Sequence, residues 1–165
     1  MSALIVLRGN SGSGKTTVAR ALQREFGRGT LLISQDAVRR DMLWSKDGPD
    51  NPALPLMREL LRYGSRHSDM VILEGILRAD WYAPLFLAAR ADFGANIFAY
   101  YWDIPFEETL RRHATKPNRN EFGEAELRDW WLEGDRTPLL QERTIAADES
   151  LEATVARIVR DVRTG

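Results

Sequence analysis

The stretch "GNSGSGKT", Gly9 to Thr16, constrains this chain more than any other feature. It matches G-x-x-x-x-G-K-[ST] in full, and it lies between an apolar run, Ala3–Leu7, and a stretch of helical periodicity, Lys15–Phe26. That context is the one in which the pattern has physical meaning. Gly9, Gly12 and Gly14 let the backbone turn so that the N–H groups of Asn10, Ser11 and Ser13 point inward around an anion. Lys15 supplies a point charge for β- and γ-phosphates, and the Thr16 hydroxyl can ligate Mg²⁺. Thr17 follows in the first helical turn, whose positive dipole end also favours phosphate.

The remaining apolar runs organise the chain around that loop. Thr30–Ser34, Met70–Leu73 and Asn96–Trp102 read as buried strands, with Arg143–Ala146 a weaker fifth. Between them lie helical patterns. Val18, Leu22 and Phe26 recur at i, i+4 and i+8 before Gly27. Pro52–Arg66 follows Asn51, Trp81–Ala91 follows a capping Asp80, and Pro105–His113 follows Asp103. Leu151–Val162 carries Leu151, Val155, Ile158, Val159 and Val162 on one face. Strands alternating with helices predict a parallel sheet covered on both faces, with ligands beyond the strands' carboxyl ends.

Composition narrows the functional classes. With 165 residues, 44% of them hydrophobic, the chain predicts one domain spanning 1–165. Lys plus Arg (23) nearly balance Asp plus Glu (24), so a nucleic-acid partner is disfavoured without being excluded. No cysteine is present, which rules out disulfides and thiolate chemistry. The absence of a basic leader or a long apolar run predicts a cytoplasmic protein without a membrane partner. The polar segment about 114–138, containing "TKPNRNEFGE" and then Leu127, Trp130 and Trp131, predicts a short lid.

A phosphate loop does not name a reaction. A GTPase switch would carry D-x-x-G, which is absent, and [NT]-K-x-D, which "TKPN" imitates without its final acid. A motor ATPase would carry an acidic pair where "MVILEGIL" has Glu74 alone. The segment "ILEGIL" resembles the Glu-Gly strand end of uridine kinases, and "SQDAVRR" resembles the D-x-x-R segment of adenylylsulfate and polynucleotide 5′-hydroxyl kinases. The layout is also similar to chloramphenicol phosphotransferase, with an acid at the same place in the chain order. These resemblances imply the P-loop small-molecule kinase group, with ATP and Mg²⁺, a sheet in the order 2-3-1-4-5, and adenine near Ala147. They depart from the adenylylsulfate pattern in having Ser34-Gln35-Asp36 in place of Asp-Gly-Asp, and no single acceptor carries over.

The residues that would act on an acceptor hydroxyl follow from position. Asp36, just past the second strand, is either a catalytic base or a first-turn helix acid. Arg39, one turn later, can hold the acceptor or orient Asp36. Glu74 can hold Mg²⁺ through water, bind the acceptor, or replace Asp36 as base. Arg111 and Arg112 before the proposed lid and Arg119 within it are candidates to neutralise the transferring phosphoryl group, with Arg136 a further one. Trp44, Trp81, Trp130 and Trp131 are candidates to roof an acceptor pocket, and His67 and His113 are expected on the surface. The expected activity is γ-phosphoryl transfer from ATP to a small-molecule hydroxyl. Nucleoside or polynucleotide kinases, and a nucleotide-binding regulatory module, are the alternatives.

Overall fold

The computed structural model describes residues 1–115, 120 and 123–165. The central strand β1 (Ala3–Gly9) runs into α1 (Lys15–Phe26), followed by β2 (Leu31–Ser34), α2 (Ala53–His67) and β3 (Met70–Gly75). Then come α3 (Ala83–Phe93), β4 (Ile97–Asp103), α4 (Phe106–His113), α5 (Glu124–Trp130), β5 (Arg143–Ala146) and α6 (Leu151–Thr164). The sheet has five strands in the order β2-β3-β1-β4-β5, and each neighbouring pair is parallel. This is the order the family resemblance implies.

Period-two alternation along the strands divides the core. Leu4, Val6, Val71, Leu73 and Ile33 face a layer formed by α2 and α3, where Met57, Leu61, Leu85 and Phe86 are buried. Ile5, Leu7, Ile72, Tyr100 and Ile145 face the opposite layer, where α1 and α6 bury Val18, Leu22, Ile158 and Val159. The same alternation sets the site. Arg8 continues the series Leu4–Val6 toward the α3 layer, and Glu74 continues Met70–Ile72 toward α1.

Helix ends differ from the sequence expectation in instructive ways. Asp80 does not cap α3: its Oδ1 accepts the N–H of Trp81, and the helix begins at Ala83 after Tyr82. Two more residues of turn therefore precede regular helix. The chain after β2 forms a π-helix, Ala37–Met42, with Asp36 at its N-cap. His113 is buried at 6% exposure, which corrects its assignment to the surface, whereas His67 is exposed and packs on Tyr63. α6 starts after Ser150, whose hydroxyl accepts the N–H of Ala153 at 3.1 Å.

Candidate active site

The loop between β1 and α1 has the conformation its glycines allow. Gly12 and Gly14 take φ of 81° and 100°, and a Cβ on Gly12 would come within 3.0 Å of the Thr109 carbonyl oxygen. Lys15 is buried, with Nζ donating to the Asn10 carbonyl at 2.8 Å and to Ser13 Oγ at 3.0 Å. Thr16 and Thr17 are exposed at the start of α1. Ammonium, hydroxyl and helix N-terminus thus converge at the carboxyl end of the central strand.

Glu74 joins them through sheet register. Leu7 of β1 and Ser34 of β2 are both abreast of Glu74. Its side chain is turned toward α1, and the Thr16 hydroxyl donates to Oε1 at 3.3 Å. At 4% exposure, Glu74 has a named partner in the phosphate loop. A cation held between Thr16 and Glu74 fits Mg²⁺, which in nucleotide sites takes most of its ligands from phosphates and water. Among the described residues no group of three or more acids, histidines or cysteines converges to hold a metal without such help.

On the β2 side, neighbouring residues diverge. Gln35 turns inward, 2% exposed. Its Oε1 accepts the Leu77 N–H at 2.9 Å, and Nε2 donates to Asp47 Oδ2 and to the Tyr82 hydroxyl. Gly75 is required here, since a Cβ would lie 2.4 Å from Gln35 Oε1. The Tyr82 hydroxyl donates to Asp47 Oδ1 at 2.7 Å and accepts from Asn51 Nδ2. Burial and then the Asp47 carboxylate push the Tyr82 hydroxyl far above its ordinary pKa, so it remains protonated.

Asp36 is exposed, its side chain 67% accessible and paired with Arg39 at 3.2 Å. Arg39 also donates from NH1 to the Ser45 carbonyl, and its Nε is buried without a partner among the described residues. Asp36 and Gly9 each lie two residues beyond the abreast positions, with β3 between their strands. Two strand spacings, roughly 10 Å, therefore separate the chain at Asp36 from the phosphate loop. Glu74 occupies the floor of that interval. Among the described residues, the side-chain hydrogen bond of Asp36 goes to Arg39 and not to Glu74 or the loop.

The arginines separate sharply. Arg111 is 72% exposed and pairs with Glu108. Arg112 donates to the Ser13 carbonyl at 2.5 Å and the Ala147 carbonyl at 2.9 Å, and its Nε donates to Glu108. It thereby fastens α4 to the phosphate loop and to the loop after β5. Hydrogen bonds from Arg111 and then Arg112 hold the Glu108 carboxyl down at about 2. Arg119 lies outside the described residues, as do residues 116–118 of the guanine-motif imitation. Arg136 donates to Thr144 and to the Glu142 carbonyl, away from the loop.

Three features escaped the sequence reading. Arg8 is fully buried between Phe86 and Tyr101, donating to the Leu77 carbonyl, to Asp135 and to Glu142. A lone arginine inside "ALIVLRG" signalled a buried cation, but its acids, more than a hundred residues away, had no local signature. The Gln35–Asp47–Tyr82 network was likewise hidden, because each residue taken singly looks like loop polarity. The third is the hold of Asn10 on Leu132. Of the tryptophans, Trp131 lines a cavity of about 520 Å³ with Asn10, Trp102, Phe106 and Glu133. Trp81 packs against the core, while Trp44 is 94% exposed and Trp130 is also exposed. Neither Trp44 nor Trp130 lines that cavity.

Comparison with known proteins agrees with this architecture. No curated protein matches the chain. A structure from Chloroflexus aurantiacus J-10-fl shares the fold at 18% identity and a TM-score of 0.71, covering 99% of this chain and 97% of its own. A gluconokinase from Sinorhizobium meliloti 1021 is similar at 18% identity and TM-score 0.66, covering 98% and 92%. A shikimate kinase from Bacteroides thetaiotaomicron is similar at 18% identity and TM-score 0.63, covering 98% of each chain. These likenesses show a common fold. The model of the AAA domain family matches residues 4–132, from the first strand through the phosphate loop to the end of α5, and the chain belongs to that family.

Proposed function

We propose that this protein is an ATP- and Mg²⁺-dependent kinase that transfers the γ-phosphoryl group to a hydroxyl of a small molecule. The observation that carries the reading is the convergence of Lys15, Thr16 and Glu74, with the Thr16 hydroxyl 3.3 Å from the Glu74 carboxylate. A nucleotide-binding turn needs the lysine and the hydroxyl. A buried acid in contact with that hydroxyl is the addition expected where Mg²⁺ and a reacting phosphate must be held.

In this reading the loop amides and Lys15 hold the β- and γ-phosphates, after Lys15 exchanges its present oxygen partners for phosphate oxygens. Mg²⁺, when bound, neutralises phosphate charge. Thr16 would be its direct ligand and Glu74 would orient water around it. The interval over β3, roughly two strand spacings wide, accommodates a small acceptor. Asp36 at its far side accepts the hydroxyl proton as the oxygen attacks, and Arg39 orients Asp36 or binds the acceptor. Arg112 keeps α4 against the loop; Arg111 and Arg119 are the candidates to reach the transferring group, and α5 covers the site. The structural relatives named for gluconate and shikimate support a small acceptor, and the near-balance of charge supports it over a polynucleotide.

The test is ADP release from purified protein with Mg²⁺ and ATP, screened against nucleosides, sugars and sugar acids, antibiotics and 5′-hydroxyl oligonucleotides. One small-molecule class should stimulate release. Tight ATP binding with no stimulation by any class would favour a regulatory nucleotide-binding module.

A further inference from the structure

The side-chain amide of Asn10 forms a two-point contact with the backbone of Leu132. Its Nδ2 donates to the Leu132 carbonyl at 2.6 Å, and its Oδ1 accepts the Leu132 N–H at 2.8 Å. A primary amide offers a donor and an acceptor side by side, so it can occupy both groups of one backbone residue as a neighbouring strand would. The pair is well shielded, with Asn10 only 6% exposed. The backbone carbonyl of the same residue accepts Lys15 Nζ at 2.8 Å. Asn10 thus touches the phosphate-binding ammonium with its main chain and the segment just after α5 with its side chain.

What lies on either side of Leu132 gives the contact leverage. Just before it, Trp131 packs edge-on against Phe106 at 5.3 Å, and Arg128 of α5 lies over the same ring at 4.4 Å. Just after it, the chain is fastened to β1 and β4. Asp135 pairs with Arg8 and gives its N–H to the Tyr101 hydroxyl, and Glu142 also pairs with Arg8. The connection from Asp135 to Glu142 is therefore anchored, and α5 leaves this anchor at a point held by the phosphate loop.

We infer that Asn10 is a positioning residue whose side chain links phosphate occupancy of the loop to the seating of α5 over the site. The inference rests on the proposed reading, in which Lys15 turns from the Asn10 carbonyl to a phosphate oxygen. That exchange changes the hydrogen bonding of the Asn10 peptide and, through the rigid amide pair, the position of Leu132. The role goes beyond lending a loop N–H to phosphate, for which any residue but proline would serve.

Hydrogen exchange read by mass spectrometry over residues 124–132, with and without Mg²⁺ and ATP, tests the link beside a direct titration of ATP affinity. Wild type, Asn10→Ala and Leu132→Pro are compared. The proline variant removes the Leu132 N–H without touching the loop, and Trp131, at φ −66° and ψ 130°, already has the conformation that precedes proline. In wild type, ATP should change exchange over 124–132 by about tenfold, the scale of one or two hydrogen bonds. Leu132→Pro, which lies outside the loop, should bind ATP within about threefold of wild type, with the response at 124–132 reduced to less than about twofold. Asn10→Ala, read at saturating ATP whatever its affinity, should lose the response likewise. A wild-type protein that fails to bind ATP would overturn the phosphate reading and the link with it. ATP binding without a wild-type response, or with the response preserved in the variants, would overturn the link alone. Loss of ATP binding in both variants would place Asn10 and Leu132 in the phosphate site itself and equally overturn it.

Discussion

Two carboxylates at neighbouring strand ends have different surroundings, and the proposed function gives them different work. Glu74 is buried against Thr16; Asp36 is exposed beside Arg39. In the proposed division, Asp36→Asn should leave ATP affinity unchanged and lower acceptor-dependent turnover by about 10²–10⁴-fold, the range of a general base. Glu74→Gln should instead raise the Mg²⁺ concentration needed for half-maximal rate by about 10–100-fold. Steady-state kinetics under Mg²⁺ titration separates the two; exchanged phenotypes would reverse the assignment. Glu108 offers a prediction in pH. Its folded value of about 2 lies below its ordinary 4.5, so its stabilising effect is complete above about pH 4.5 and disappears as pH falls toward 2. The melting temperature of wild type should exceed that of Glu108→Gln at pH 6, and the gap should close on acidification. At this scale the sequence was only partly legible. Lys15 and Thr16 were fixed by a pattern of close neighbours, whereas Arg8, Gln35 and Asn10 owe their roles to partners brought by folding.

Elements meet at buried polar contacts, and these carry much of the site's rigidity. Arg8 ties β1 to the α3 approach and to the segment before β5. Arg8→Met should destabilise the fold by about 3–5 kcal/mol, because it leaves Glu142 and Asp135 without their cation. Urea unfolding would measure that loss, and adding Asp135→Asn and Glu142→Gln should recover part of it. A smaller effect is expected where Gln35, Asp47 and Asn51 surround the Tyr82 hydroxyl. Tyr82→Phe removes the group that donates to Asp47, and should cost about 1–3 kcal/mol in the same experiment. Element identity followed from periodicity: α1 matches its predicted span, and β5 was recognised despite its length. The start of α3 and the π-helix after β2 did not follow. Asp80 satisfies capping statistics while making only a local turn, and nothing in "AVRRDM" distinguishes i→i+5 from i→i+4 bonding.

For the whole molecule, five parallel strands between two helical layers bring the strand ends together, so the phosphate loop, Glu74 and Asp36 share the carboxyl-end side of the sheet. That arrangement was legible because apolar strands alternating with amphipathic helices allow few other topologies. No described helix is long and apolar enough to cross a membrane. The most direct measurement is mass spectrometry of candidate acceptors after incubation with the protein, Mg²⁺ and ATP. The account predicts that one small hydroxyl compound gains a single phosphoryl group, at a rate that Lys15→Ala lowers by about 10²–10³-fold or more. A phosphorylated product formed equally well by Lys15→Ala, or ATP bound tightly with no acceptor modified, would contradict it.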